Sequence, residues 1–304
     1  MKKTILITGS NGLLGQKLVE LIVEKGEFRL IATGRGNNRL AKYQDKYEYE
    51  SVDITSENEV NAVFEAYEPD VVIHTAAMTN VDECELNKEA CWINNVVATR
   101  NIAEACLEYN SHLIHVSTDF IFDGSHGPLT EEEKPYPISF YGYSKLAAEE
   151  LITKMQGLKW SIARTVLVYG IAQDMSRTNI ILWVKKSLED KKQIKVVDDQ
   201  WRTPTLAEDL AMGCYLIAQK DKTGVFNISG KDFLNPYEMA MMVVDFFNLD
   251  KSFITKADSS TFTQPAKRPP KTGFVIDKAR KELGYEPHSF NEGIEILANQ
   301  ISNK

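Results

Sequence analysis

Short, nearly continuous apolar runs alternate along this chain with longer stretches whose apolar residues recur every three or four positions. The runs "TILIT" (4–8), "RLIAT" (29–33), "DVVIHTAA" (70–77), "HLIHVST" (112–118) and "WSIART" (160–165) predict buried strands. Between them, "GLLGQKLVELIVEKG" (12–26) carries apolar residues at 14, 18, 21 and 22 and closes on Gly26, the pattern of an amphipathic helix. "ENEVNAVFEAY" (57–67) has the same period, and "EACWINNVVATRNIAEACLEY" (89–109) predicts one long helix. A further helix holds Tyr141 and precedes the last of these strands. Strands that alternate with helices in this way imply right-handed crossovers and a parallel sheet covered on both faces.

After about residue 170 the rhythm loosens. Helical "NIILWVKKSLED" (179–190), "LAEDLAMGCYLIAQ" (206–219) and "NPYEMAMMVVDFFN" (235–248) are separated by short strands such as "IKVV" and "GVFNIS". "SSTFTQPAKRPPKTG" (259–273) is rich in Pro, Ser and Thr and reads as a loop. The expected fold class is α/β, a doubly wound parallel sheet of Rossmann type with a smaller C-terminal α/β unit. The expected boundaries are 1–168, with about 205–229, for the dinucleotide-binding domain, and 169–204 with 230–304 for the substrate domain.

Composition narrows the function classes. Hydrophobic content of 43% and charged content of 26% are ordinary for a globular protein. The net charge of −8 gives no reason to expect nucleic acid as a partner. Cys84, Cys91, Cys106 and Cys214 show no C-x-x-C spacing and read as thiols in a reducing, cytoplasmic setting. No apolar stretch has membrane-spanning length, and the five histidines lack metal-ligand spacing, so neither a membrane nor a metal is expected.

The first chemical signal is "TGSNGLLG" (8–15), which places Gly9, Gly12 and Gly15 between the first strand and the first helix. Glycines there permit a tight turn and close approach of a pyrophosphate, and the helix N-terminus offers unpaired N–H groups to it. Dinucleotide folds that prefer NAD usually carry a carboxylate at the end of the second strand. This chain has "ATGRGNNR" there, with Arg35 and Arg39 but no carboxylate. Arginine suits a 2′-phosphate, so NADPH is the expected cofactor, with NADH also open. Asp53, followed by Ile54, either meets the adenine amine or caps the next helix.

The second signal is "SFYGYSKLAAEE" (139–150), in which Tyr141 and Lys145 lie four residues apart and share a helix face. A phenol titrates near ~10 and is a sluggish acid at neutral pH. A neighbouring ammonium favours the phenolate and brings it toward the working range. Tyr143 lies two residues from Lys145 and points elsewhere on a helix.

The order of these motifs resembles the extended short-chain dehydrogenase/reductase family. The resemblance runs through "TGSNGLLG", "DIT" (53–55), "HTAAMTNVDECE" (74–85), "NVVATRNIA" (95–103), "HVSTDFIFDG" (115–124), "YGYSK" (141–145) and "RTVLVYG" (164–170). "STDFIFDG", "VVDDQWRTPT" (196–205) and "KRPPKTGFVID" (267–277) are similar to the dTDP-4-dehydrorhamnose reductase group within it. The resemblance implies reduction of a nucleotide-diphosphate 4-keto sugar, with Thr118, Tyr141 and Lys145 catalytic. It implies a cofactor held by Gly9, Asn11, Gly12, Leu13, Leu14, Gly15, Arg35, Asp53, Ile54, Ala76, Ala77, Met78 and Asn95, together with Tyr141 and Lys145. It implies a sugar nucleotide near Thr79, Val81, Thr118, Asp119, Phe120, Leu167, Arg202 and Arg268, and it is compatible with a homodimer. Arg202 would meet a phosphate or pair with a carboxylate. A 4,6-dehydratase would need an acid where Phe120 stands. A nucleotide-sugar epimerase, and a non-catalytic regulatory subunit resembling that of methionine adenosyltransferase, remain the alternatives.

Overall fold

The computed structural model describes residues 2–174 and 178–302. Strands β1 (Thr4–Thr8), β2 (Arg29–Gly34), β3 (Glu48–Ser51), β4 (Val71–His74), β5 (His112–Thr118), β6 (Trp160–Thr165) and β10 (Gly224–Asn227) form a seven-stranded sheet. Its order is β10-β6-β5-β4-β1-β2-β3, and every pairing is parallel. The order reverses between β1 and β4, and that crevice at the carboxyl ends of the strands is where such sheets bind ligands.

Alternation within the strands builds both layers. Ile5 and Ile7 of β1 join the core on one face, while Leu6 joins the core on the other. The first layer contains α1 (Leu13–Lys25) and α8 (Ala207–Gln219), the second α2 (Glu57–Tyr67), α5 (Ala98–Glu108) and α6 (Phe140–Lys154). Burial on both sides is why these strands read as unbroken apolar runs.

A third core lies outside the sheet layers. It joins α7 (Ile180–Glu189), α9 (Pro236–Phe247), α11 (Phe290–Ser302) and the small parallel pair β8 (Ile194–Val197) with β11 (Ile254–Ala257). A further pair, β7 (Val168–Tyr169) with β9 (Thr205–Leu206), links this unit to the sheet. Residues of α10 (Asp277–Leu283), grouped with the smaller unit in the sequence reading, pack elsewhere: Ile276, Ala279, Leu283 and Tyr285 are in the core beside α8. The apolar side chains of α10 match the α8 face, which overrides sequence proximity.

The expected long helix over 89–109 is also divided. α3 (Val81–Leu86) and α4 (Lys88–Trp92) lead into a π-helical turn at Ile93–Val97 before α5. Such turns insert where a side chain has work to do off the regular ladder. Here they bring Asn94 and Asn95 to the cleft side of the sheet.

Candidate active site

A cleft of about 970 Å³ follows the carboxyl ends of β1, β2, β4, β5 and β6. At one end lies the glycine loop. Gly9 has φ +72, and a Cβ on it would come within 2.8 Å of the Ala76 backbone. A Cβ on Gly15 would come within 2.3 Å of the Gly9 carbonyl oxygen. Both glycines are therefore needed to pack the loop against its own helix and against the segment after β4. Gly12 caps α1 without a side-chain hydrogen bond, and the first turn carries no acid. Gly12, Leu13, Leu14 and Gly15 all line the cleft. A bare helix N-terminus with no competing carboxylate fits the pyrophosphate of a dinucleotide.

Arg35 and Arg39 line the same end. The Arg35 side chain is 60% exposed; its Nη2 donates to Asn94 Oδ1 at 2.5 Å, and its Nε lies 3.6 Å from Asp53 Oδ1. Asn11 organises this loop. Its amide donates to the carbonyls of Arg35 and Asn37 and to the Tyr49 hydroxyl, and its oxygen accepts from the Arg39 N–H. The chain thus offers a phosphate a guanidinium whose loop is already tied down. The donor set fits NADP(H).

In the middle of the cleft, Ala76, Ala77, Met78, Thr79 and Val81 form one wall, with Ile54 nearby. Asn95 is fully buried and does not line the cleft. Its oxygen accepts from the Met78 N–H at 2.8 Å, and its amide donates to the Met78 carbonyl and to Ser144 Oγ. It ties the β4 loop to α6 rather than reaching a ligand.

The other end holds the candidate catalytic groups Thr118, Tyr141 and Lys145. Ser139 caps α6 through the Gly142 N–H, which fixes the first turn carrying Tyr141. Tyr141 is 8% exposed, whereas Tyr143 is 52% exposed and stacks on Trp92. Helical geometry has therefore separated the two phenols. Burial pushes the Tyr141 phenol well above its usual value; the Thr118 hydroxyl opposes this and Asp119 adds to it. The resting phenol keeps its proton, as an acid must. Thr118 donates to Asp119 Oδ1 at 3.1 Å and accepts from the Phe120 N–H. Lys145 is 3% exposed and donates to the Val116 carbonyl at 2.8 Å and to His115 Nε2 at 3.0 Å. Burial lowers its ammonium to about 8, against the attraction of Glu149.

Leu167 lines the cleft beyond β6 with φ +37, an uncommon conformation for a side chain with a Cβ. Besides Asn95, three residues expected at the ligands lie off the cleft wall. Asp53 accepts from the Thr55 N–H and hydroxyl and faces Arg35. Arg202 is buried, with its Nε 3.5 Å from Asp119 Oδ2 and its Nη atoms donating to the carbonyls of Trp201, Pro269 and Pro270. Of the two roles expected for Arg202, the pairing with a carboxylate is the one observed. Arg268 makes a two-pronged contact with Asp82, with Nη2 to Oδ2 at 2.6 Å and Nη1 to Oδ1 at 3.0 Å. Both guanidiniums hold the Pro-rich segment onto the site's rim. The sequence reading passed over Asn94, Gln16 and His115. Gln16 exchanges two hydrogen bonds with the Gln173 backbone across the mouth of the cleft. His115 faces His74 in register across β4 and β5, and the histidines set into two otherwise apolar strands, one in β4 and two in β5, were the available signal.

Comparison with known proteins places this geometry. The family described as RmlD substrate binding domain matches residues 1–303. The chain belongs to that family. Among curated relatives, dTDP-4-dehydrorhamnose reductase of Aggregatibacter actinomycetemcomitans is 28% identical over 308 residues, 96% of this chain and 97% of the relative. Methionine adenosyltransferase 2 subunit beta of Bos taurus is 29% identical over 257 residues, 83% of this chain and 74% of the relative. The crystal structure of dTDP-4-dehydrorhamnose reductase from Bacillus anthracis in complex with NADP superposes with TM-score 0.83 at 26% identity, covering 99% of this chain and 100% of that one. Among the described residues, no cluster has the make-up to hold a metal ion, and no helix is long and apolar enough to cross a membrane.

Proposed function

We propose that this protein is an NADPH-dependent reductase of a nucleotide-linked 4-keto sugar, with dTDP-4-dehydrorhamnose as its substrate type. The observation that carries the reading is one continuous cleft. It joins an uncapped helix N-terminus and two arginines at one end to a buried, protonated Tyr141 beside Thr118 and Lys145 at the other.

The glycine loop and α1 would hold the pyrophosphate, Arg35 and Arg39 the 2′-phosphate, and Lys145 the nicotinamide ribose. Bound there, the nicotinamide supplies the hydride. Everything else falls to the chain's own residues. Tyr141 holds a proton at its phenol oxygen and delivers it to the ketone oxygen. Thr118, at the carboxyl end of β5, turns its hydroxyl from Asp119 to that same oxygen. Lys145 steadies the phenolate left behind by its charge. The walls around Tyr141, with Phe120 edge-on to its ring at 5.7 Å, exclude water from the transfer.

The test is NADPH consumption across dTDP-, UDP- and GDP-linked 4-keto sugars. The reading expects turnover with at least one of them and faster turnover with NADPH than NADH at low cofactor. A protein that binds NADPH, reduces none of them and co-purifies with a methionine adenosyltransferase would support the regulatory role instead.

A further inference from the structure

Lys145 is an unusual ammonium because it is buried without a carboxylate partner. Among the described residues it forms no ion pair. Glu149, one turn further along α6, is held by Arg164, with Nε to Oε1 at 3.1 Å and Nη2 to Oε2 at 2.7 Å. Two of the three ammonium protons go to neutral acceptors contributed by consecutive residues of β5, the Val116 carbonyl and the His115 ring. The third is left for the cleft, which Lys145 lines.

An ammonium has no lone pair, so His115 Nε2 must accept and its proton must sit on Nδ1. His115 is 1% exposed, and its Nδ1 meets no partner among the described residues. Burial and the adjacent Lys145 both push its imidazolium far below the ordinary range. The ring behind it, His74, is held by Thr8 Oγ1 at 2.7 Å and Thr99 Oγ1 at 3.1 Å. Thr99 gives its own proton to the Asn95 carbonyl, so His74 Nε2 carries a proton and Nδ1 accepts from Thr8. His74 is therefore also locked neutral.

We propose that His115 is the positioning residue of Lys145: a neutral acceptor, backed by His74, that aims the ammonium at the cleft without cancelling its charge. A carboxylate at this place would hold the lysine as firmly but would neutralise the field that favours ionisation of Tyr141. The proposal rests on the reductase reading for the use made of that charge, though not for the geometry. The groups that face the Lys145 amine are His115 from β5, His74 from β4, Cys91 from α4 and Glu149 from its own helix, and Tyr141 lines the same cleft.

The experiment is a ¹³Cε-lysine NMR titration of the full chain. The Lys145 signal is assigned by its loss in Lys145→Met, and NADPH-dependent turnover is measured on the same samples. His115→Leu removes the acceptor and should lower the proton affinity of Lys145 tenfold or more, the worth of a hydrogen bond to a charged group. His115→Gln restores an acceptor and should return most of that loss and most of kcat. His115→Glu should raise the proton affinity of Lys145 above wild type yet still lower kcat, because the added charge cancels the ammonium's field. If His115→Leu proves unstable, the opposed shifts of affinity and kcat in His115→Glu carry the test alone. A wild-type midpoint in His115→Leu, a His115→Gln midpoint as low as that of His115→Leu, or a His115→Glu protein with unimpaired kcat would overturn the assignment. Ordered midpoints in a protein that reduces no 4-keto sugar would uphold His115's role and remove the reductase reading.

Discussion

The two ends of the cleft solve opposite problems. At the end proposed for the phosphates the candidate group is a largely exposed guanidinium, Arg35, on a loop that Asn11 pins by its backbone. At the other end Tyr141, Lys145 and His115 are buried and their polar atoms are aimed by the sheet itself. Recognition of a phosphate needs charge and reach, and solvent does little harm beyond screening it. Proton transfer needs a fixed geometry and a shifted proton affinity, and both require exclusion of water. Substitutions at the two ends should therefore differ in kind as well as in size.

The largest effect belongs to the buried end. Tyr141→Phe should cut kcat by roughly 10² or more, the usual worth of a positioned acid, and leave NADPH affinity near normal. Tyr143→Phe, whose ring stacks on Trp92 at the surface, should change kcat little. Steady-state kinetics with a direct cofactor titration checks both, and a reversal of the two would break the comparison. At the exposed end, Arg35→Ala should raise the KM for NADPH about tenfold and leave kcat and the KM for NADH nearly unchanged. A charge-assisted bond is worth more in a dry site, but exposure and salt reduce it here. Raising ionic strength should shrink this difference and not the Tyr141 one.

Next in size are two effects of pH. The proposed reduction needs Lys145 charged, and its amine is lowered to about 8 chiefly by burial. Turnover should therefore fall as pH rises through about 8, and the limb should be absent from NADH or NADPH oxidation background. Stability responds at the acid side. Burial lowers His74 to about 3 and His112 to about 4, below the unfolded value of ~6.5. Between those limits the unfolded chain binds protons that the native one refuses, so stability rises with pH across that window. The melting temperature should be level above about 6.5 and fall steadily on acidification below it. The smallest effect is expected at the rim. Arg268→Ala breaks a partly exposed pair with Asp82 and should cost about 1 kcal/mol or less, measured by denaturant unfolding.

The contrast also explains what the sequence alone made legible. The sheet was readable because Ile5, Leu6 and Ile7, or Val71, Val72 and Ile73, serve two cores at once and so leave no polar gap. Tyr141 and Lys145 were readable because helical spacing fixes a shared face. Partners far away in the chain were not. Nothing near Arg202 announces that the carbonyls of Pro269 and Pro270 will take its N–H groups, and nothing near Arg268 announces Asp82. In the sequence Arg202 stands between a phosphate and a carboxylate, and Arg268 stands at the sugar nucleotide, because Asp119 and Asp82 lie on other elements. The π-helical turn at Ile93–Val97 was hidden for a different reason: its composition is that of an ordinary helix, and only the packing of Asn95 against Met78 and Ser144 calls for the extra residue.

The account centres on a hydride delivered in this cleft and a proton delivered by Tyr141. Mass spectrometry of the sugar formed from a dTDP-linked 4-ketone with NADPH deuterated at the transferring position of the nicotinamide tests it most directly. The prediction is a product one mass unit heavier, with the deuterium at C4, formed by the wild type and at least a hundredfold more slowly by Tyr141→Phe. A wild-type protein that binds the labelled cofactor and transfers no deuterium to any of the 4-keto sugars, or a Tyr141→Phe protein that transfers it as fast, would contradict the account.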